Sequence, residues 1–306
     1  MPATHYHVRH ETAYEYTVPI TLSRHIAHLE PRMTRWQRIV RHDLEVVPVP
    51  GQVIPGVDPF GNPVARISIA TPHERLAVVG DTEVAVAPRP WAAANFADYW
   101  DWLRTVEGLR YRGGLPVSVT RFRFESPHVR VKRELAALAT PSLDTEANLA
   151  AACLDLTRRI HSEFAYEPTS TEIGTSVLEV LHTKKGVCQD FAHLMISALR
   201  SNGLAARYVS GYLLTEAAPG SERLVGVDAS HAWVAVYCPN DVSGGDWIEF
   251  DPTNGCLADT RYITLGWGRD FSDVSPLRGV ILGGGEHDMS VAVTVSPVDP
   301  NGSLRD

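Results

Sequence analysis

The stretch Gly186-Val187-Cys188-Gln189-Asp190-Phe191 opens a run whose apolar residues, Ala192, Leu194, Met195, Ala198 and Leu199, recur at helical spacing until Asn202-Gly203. Gly186 lets the backbone turn sharply into that helix. Cys188 therefore falls at a helix N-terminus, where unpaired N–H groups and the dipole favour an anion. Thiolate is the reactive form of cysteine, and such a setting lowers a cysteine pKa. Most free cysteines are small buried apolar residues. A nucleophile also needs a base within hydrogen-bond reach, and the base needs a third group to fix its tautomer.

Candidates for both lie downstream. Ala229-Ser230-His231-Ala232-Trp233-Val234-Ala235-Val236-Tyr237 reads as a strand with His231, Trp233 and Ala235 on one face. Trp247-Ile248-Glu249-Phe250-Asp251-Pro252-Thr253-Asn254-Gly255 reads as a shorter strand ending at Asp251, with a proline turn behind it. Cys188, His231 and Asp251 thus stand at a helix start, a strand start and a strand end, 43 and 20 residues apart. Each gap holds one further strand and its turns.

In this order, GVCQDFAHL, SHAWVAVY and WIEFDPTNG resemble the three core motifs of the transglutaminase-like superfamily of papain-type cysteine enzymes. The resemblance is strongest to its bacterial branch, in which a β-rich N-terminal region precedes the core. ARYVSGYL (Ala206 to Leu213), GRDFSDVSPLRGV (Gly268 to Val280), RHETAYEY and DPFGN extend it over nearly the whole chain. The resemblance implies Cys188 as nucleophile, His231 as base and Asp251 as orienting carboxylate. It covers both hydrolases and cross-linking enzymes, and it implies a partner of the ATP-grasp ligase type.

The totals bound the rest. A chain of 306 residues holds two domains or one large one. Hydrophobic content of 44% with 21% charged residues is that of a folded chain, not a disordered one. A net charge of −8 leaves no basic excess to neutralise phosphates, so no nucleic-acid partner is expected. Cys153, Cys188, Cys238 and Cys256 form neither a disulfide scaffold nor a C-x-x-C pair. Met1-Pro2-Ala3-Thr4-His5 carries no secretory pattern, and no apolar run approaches the ~20 residues of a membrane span. These features predict a cytoplasmic protein without membrane contact.

The pattern along the chain predicts an α+β protein in three parts: a β-sandwich-like domain over residues 1–125, a catalytic core over 126–268, and an extension over 269–306 that packs back and ends in a strand. Tyr6, Val8 and His10 alternate with polar neighbours, as do Leu44, Val46 and Pro48; Val64 to Ile69 and Thr82 to Val86 are further strand candidates, with a turn over Asp58 to Pro63. His5, His7, His10, His25, His28 and His42 fall on different strands without carboxylate companions, so they do not read as a metal site. Phe96, Tyr99, Trp100, Leu103 and Val106 predict an amphipathic helix within residues 91–112. A second helix is expected from Ser126-Pro127 to before Pro141, and a third over Leu149, Cys153, Leu156, Ile160 and Phe164, burying Cys153. Ser176-Val177-Leu178-Glu179 fits a capping box. Ala206 to Leu213 is a strand, residues 215–228 a hairpin loop, and Met289 to Ser296 a closing strand that joins the N-terminal sheet.

This constellation predicts acyl transfer on a peptide or protein amide through a thioester, with water as the favoured acceptor and a lysine amine as the alternative. The Cys188 N–H is one expected oxyanion donor, and Gln189, Tyr208, Tyr212 and Trp233 are the expected substrate contacts. No cofactor is expected, and no Asp-x-Asp loop calls for calcium. A metal site from Cys188, His193 and His231 lacks a carboxylate shell. A non-catalytic binding protein has no need of all three motif residues.

Overall fold

Alternating burial governs the first quarter of the chain. The structure is a computed structural model describing residues 2–93, 96–110, 115–168, 174–215 and 230–299. In it Tyr6, Val8 and His10 are buried along one face of a 24-residue strand, β1 (Thr4–Ala27). Strands β2 (Gln37–Val47), β3 (Gln52–Val57), β4 (Pro63–Ile69) and β5 (His73–Val86) complete an antiparallel order β2-β5-β1-β4-β3. Between β3 and β4, Asp58 Oδ1 accepts the N–H groups of Phe60 and Asn62, both at 2.8 Å, and Gly61 takes φ +77°. β5 runs along residues 4–15 of β1 and β4 along 23–27, with a register slip between Glu15 and Ile20. Ile20, Ile67, Ile69, Leu76 and Val78 from both halves share one apolar cluster. The sandwich-like region is thus one sheet doubled over on itself at β1.

The helix expected through Phe96, Tyr99, Trp100, Leu103 and Val106 is broken instead. Among the described residues of 91–112 only α1 (Trp102–Gly108) is α-helical, and Asp101 caps it by accepting the Arg104 N–H at 2.9 Å. Residues 94–95 and 111–112 of that segment lie outside the described residues. A short α2 (Val117–Thr120) follows. α3 (Arg133–Thr145) starts later than Ser126-Pro127 and continues through Pro141. Ser126 and Val129 exchange backbone hydrogen bonds in a tight turn, which uses the groups a helix start would need. Leu135, Ala139 and Leu143 are buried on both sides of Pro141, and this packing outweighs the one lost backbone bond.

The remaining elements form the core. α4 (Leu149–Glu163), capped by Asn148, buries Cys153 completely. β6 (Ala165–Tyr166), α5 (Val177–Thr183, capped by Ser176), β7 (Lys185–Gly186) and α6 (Cys188–Ser201) lead into β8 (Ala206–Leu213). Strands β9 (Ser230–Cys238), β10 (Asp246–Asp251), β11 (Cys256–Leu257) and β12 (Tyr262–Gly268) give a five-stranded order β11-β10-β9-β8-β12. α6 lies on its face, packing Leu194, Met195, Ala198 and Leu199 in one cluster with Ala206, Ala232, Val234, Val236 and Phe250. Of the hairpin loop expected over 215–228, residues 216–228 lie outside the described residues.

After the short α7 (Phe271–Val274), the chain returns to the first sheet. β13 (Leu277–Gly283) pairs with the second half of β1, and β14 (His287–Val298) pairs with the first half from His5 to Tyr16. Tyr6, Val8, Val84 and Val86 of that sheet pack with Tyr212, Ile263 and Leu265 of the core sheet. Among the described residues no helix is long and apolar enough to cross a membrane.

Gly211 is the tightest point of the core sheet. A Cβ there would stand 2.1 Å from the Ile263 carbonyl oxygen and 2.5 Å from the Trp233 ring. Gly211→Ala is expected to destabilise the protein by about 1–3 kcal/mol, as overpacking of a rigid interior does. Urea unfolding with an unchanged midpoint would contradict this.

Candidate active site

The chain enters α6 through two turns. Lys184 caps α5 in the left-handed region at φ 55°, so the sharp turn expected at Gly186 lies two residues earlier. Gly186 serves close approach instead: a Cβ there would sit 2.9 Å from that of Asp190. Asp190 Oδ2 in turn accepts the Val187 N–H at 2.9 Å and fixes the entry of Cys188 into the helix. Cys188 is half-buried at the first helical position, where backbone N–H groups have no partner one turn back.

His231 is the second residue of β9 and Asp251 the last of β10. Because these strands are antiparallel neighbours, the two ends meet, and His231 Nε2 lies 2.8 Å from Asp251 Oδ2. That leaves Nδ1 free of Asp251, and the ring lines the same cleft as Cys188. Asp251 is fully buried and saturated with donors. Oδ2 also accepts from the Tyr262 hydroxyl (2.8 Å) and Asn254 Nδ2 (2.6 Å), while Oδ1 accepts the N–H groups of Thr253 (2.8 Å) and Asn254 (3.2 Å). Burial opposes its charge, but the His231 bond and charge with those from Asn254 and Tyr262 hold the carboxyl below its usual range. Burial likewise opposes a charged His231, yet hydrogen bonds and charge from Asp251 and Cys188 push it up to about 10.

A cleft of about 350 Å³ opens over Cys188 and His231, walled by Tyr166, Leu213, Thr215, Ser230, Thr253 and Asn254. None of the four expected substrate contacts is among these walls. Trp233 is wholly buried, its ring 6.1 Å from that of His231 and its Nε1 donating to Glu249 Oε2 at 3.3 Å. Tyr212 points to the N-terminal sheet, its hydroxyl 2.9 Å from His10 Nδ1. Tyr208 is buried beside His193, with ring centroids 5.0 Å apart. Gln189 is half-buried on α6.

Comparison with known proteins shows the family. A family model described as the transglutaminase-like superfamily matches residues 136–252, which contain Cys188, His231 and Asp251. A second, for the bacterial transglutaminase-like N-terminal region, matches residues 6–85. The chain belongs to the transglutaminase-like superfamily. An uncharacterised protein of Mycobacterium tuberculosis strain H37Rv is 38% identical over 305 residues, covering 98% of this chain and 95% of its own. A protein-glutamine gamma-glutamyltransferase of Pseudomonas aeruginosa is 34% identical over 101 residues, 32% of this chain and 14% of its own. The crystal structure of a candidate cysteine protease from Cytophaga hutchinsonii has the same fold, with a TM-score of 0.73 over 100% of this chain and 95% of that one, at 20% identity.

Two residues that hold Asp251, Asn254 and Tyr262, are not among the site residues expected from the sequence. Asn254 lies inside the third motif, and the signal for it is the Asx-type turn that Asp251 makes with the next three residues. Tyr262 sits on β12, whose run Tyr262-Ile263-Thr264-Leu265 carries strand-forming residues that point to a strand. His193 turns away from the cleft, accepting the Phe271 N–H at 3.2 Å and stacking on His128 at 5.1 Å. Among the described residues no group of three or more His, Cys, Asp or Glu side chains is placed to hold a metal. Of the N-terminal histidines, His7 pairs with Asp81 and His42 with Thr82.

The His231–Asp251 pair carries a pH signature. A histidine raised in the folded state contributes stability below its ordinary value of ~6.5, and loses it as pH climbs through the raised value of about 10. Urea stability should therefore fall across that interval, and fall less in His231→Gln. Asp251→Asn is expected to cost about 3 kcal/mol or more and to bring the imidazole titration down toward the ordinary value, read by NMR. An unmoved titration in that variant would exclude Asp251 as the source of the shift.

Proposed function

We propose that this protein is a cysteine-dependent acyl-transfer enzyme acting on amides, with Cys188 as nucleophile, His231 as acid and base, and Asp251 as the orienting carboxylate. The observation that carries the reading is the buried Asp251 held 2.8 Å from a His231 ring that shares an open cleft with Cys188. The sulfur attacks the carbonyl carbon while His231 holds the thiol proton. Negative charge on the carbonyl oxygen is met by the Cys188 N–H at the first turn of α6. Collapse expels the amine, which takes the proton from His231, and leaves a thioester. Water then attacks the thioester, His231 takes its proton, and the acid departs with the thiol restored. Asp251 keeps the ring oriented and its charge stabilised throughout.

Hydrolysis of a peptide or protein amide is the favoured outcome, and a reducing compartment suits the four unpaired cysteines. Amine transfer to glutamine is the second reading, supported by the sequence likeness to the Pseudomonas gamma-glutamyltransferase.

Glutamine-containing peptides incubated with and without a primary amine, with products read by mass, separate the two. We expect conversion of amide to acid to dominate; amine incorporation outpacing it would reverse the order. Cys188→Ala is expected to fold and to lose turnover by at least ~10³-fold. Turnover surviving in that variant would place the nucleophile elsewhere. Activity of the wild type is expected to decline on the alkaline side near pH 10, as His231 loses its proton.

A further inference from the structure

A second cavity, of about 630 Å³, lies where β8, β10 and β12 meet residues 32–36 and 118–122. It shares no wall with the Cys188 cleft. Its floor holds Arg207, 5% exposed, with its guanidinium between the rings of Trp247 (4.2 Å) and Trp267 (3.7 Å). Arg32 lies 3.6 Å from the Trp267 centroid, so the two guanidiniums must occupy opposite faces of that indole. Stacking covers the flat faces of Arg207 and leaves its in-plane N–H groups to seek acceptors. Its Nε is sealed from solvent and, among the described residues, has no hydrogen-bond partner. An unsatisfied buried donor on a charged group is costly.

Two other cations around this cavity are committed. Arg32 Nη1 donates to the Phe60 carbonyl and to Asn62 Oδ1, both at 2.8 Å, and Arg35 is paired with Asp246 at 2.6 Å. Glu249, the nearby buried carboxylate, is held at Oε2 by Arg89 Nε at 3.1 Å and by Trp233 Nε1, while its Oε1 is buried without a hydrogen-bond partner among the described residues. Burial, and the like charges of Arg32 and Arg121, push the Arg207 guanidinium down to about 9 against the pull of Glu249. Arg121 stands exposed at the cavity, 4.9 Å from the Phe60 ring and donating to the Pro59 carbonyl at 3.3 Å. The cavity therefore carries at its floor a stacked guanidinium whose Nε has no acceptor, a second cation, and aromatic walls from Trp36, Phe60 and Phe122.

We infer that this cavity is a second ligand site, taking a small molecule with an oxyanion group, carboxylate or phosphate monoester, on a planar apolar body. The Nη edge of Arg207 donates to the two oxygens as a fork, and Arg121 neutralises them from the rim. The volume exceeds that of a bare ion and lies in the range of small-molecule sites, roughly 300–1,000 Å³. The aromatic walls take the body of the ligand.

Phenyl phosphate, benzoate and inorganic phosphate, each titrated into the full chain against chloride of equal ionic strength, test this by calorimetry and thermal midpoint. We expect phenyl phosphate or benzoate to bind and raise the midpoint, and inorganic phosphate to bind more weakly for want of the apolar body. The stronger of the two aryl anions names the preferred oxyanion. Arg207→Met is expected to lose at least tenfold in affinity without a lower midpoint when unliganded, since it removes an unpaired buried charge. Arg121→Gln, at an exposed position, is expected to fold normally and bind several-fold more weakly, and it carries the test should Arg207→Met misfold. Cys188→Ala is expected to bind as the wild type does, which separates this site from the proposed catalytic one. No aryl-anion effect beyond chloride, or wild-type affinity in both arginine variants, would overturn the inference and leave Arg207 a packing residue.

Discussion

A buried carboxylate must be surrounded by donors, and the core of this protein is arranged around that requirement at Asp251. Removing such a charge from water costs several kcal/mol unless its oxygens are satisfied. Five hydrogen bonds meet the need, from His231, Tyr262, the Asn254 amide, and the N–H groups of Thr253 and Asn254. They come from two strands and one turn, so the carboxylate at the end of β10 fixes the relative position of β9, β10 and β12 at one end of the sheet. The turn is itself tethered: Thr253 O lies 2.7 Å from His161 Nδ1 on α4, and Gly255, at φ +67°, is packed close against the same ring. Orientation of His231 thus follows from the cost of hiding one negative charge.

The N-terminal region contributes to the same arrangement. Arg89, just past β5, is fully buried and donates to Glu249 Oε2, to the Tyr262 carbonyl at 2.9 Å and to the Asp259 carbonyl. Glu249 receives Trp233, whose ring lies beside His231, and Tyr262 holds Asp251. One arginine from outside the five-stranded sheet therefore braces both the wall behind the imidazole and the residue that steadies its partner. The apolar contact of Tyr6, Val8, Val84 and Val86 with Tyr212, Ile263 and Leu265 holds that arginine in place. The N-terminal region works as a support for the site, not as an appendage to it.

Much of this is legible in the residues because burial imposes a period. The first part of β1 alternates between buried and open positions, α6 and β8–β10 are runs buried almost throughout, and the placing of Cys188, His231 and Asp251 follows from their positions at element ends. Where local rules and packing conflict, the residues mislead. Pro141 signals a stop, yet buried Leu135, Ala139 and Leu143 carry α3 through it. Ser126-Pro127 signals a helix start but forms a turn. The shell of the site is harder to read, because Tyr262 and Arg89 act from segments with no motif, and side-chain direction on a buried strand is set by the whole sheet. Tyr212 shares its strand with Tyr208, yet His10 of the distant β1 gives its hydroxyl a partner away from the cleft.

The register of β1 bears on the order of synthesis. Its first half needs β14 as one neighbour, with His5 opposite Val298 and Tyr16 opposite His287. That edge is translated well before its complement, which follows every other described strand. Until then a long, partly apolar strand presents open amide and carbonyl groups, the kind of surface that nascent chains shield with chaperones to avoid sticking to one another. Completion of the supporting sheet therefore waits on the synthesis of β14.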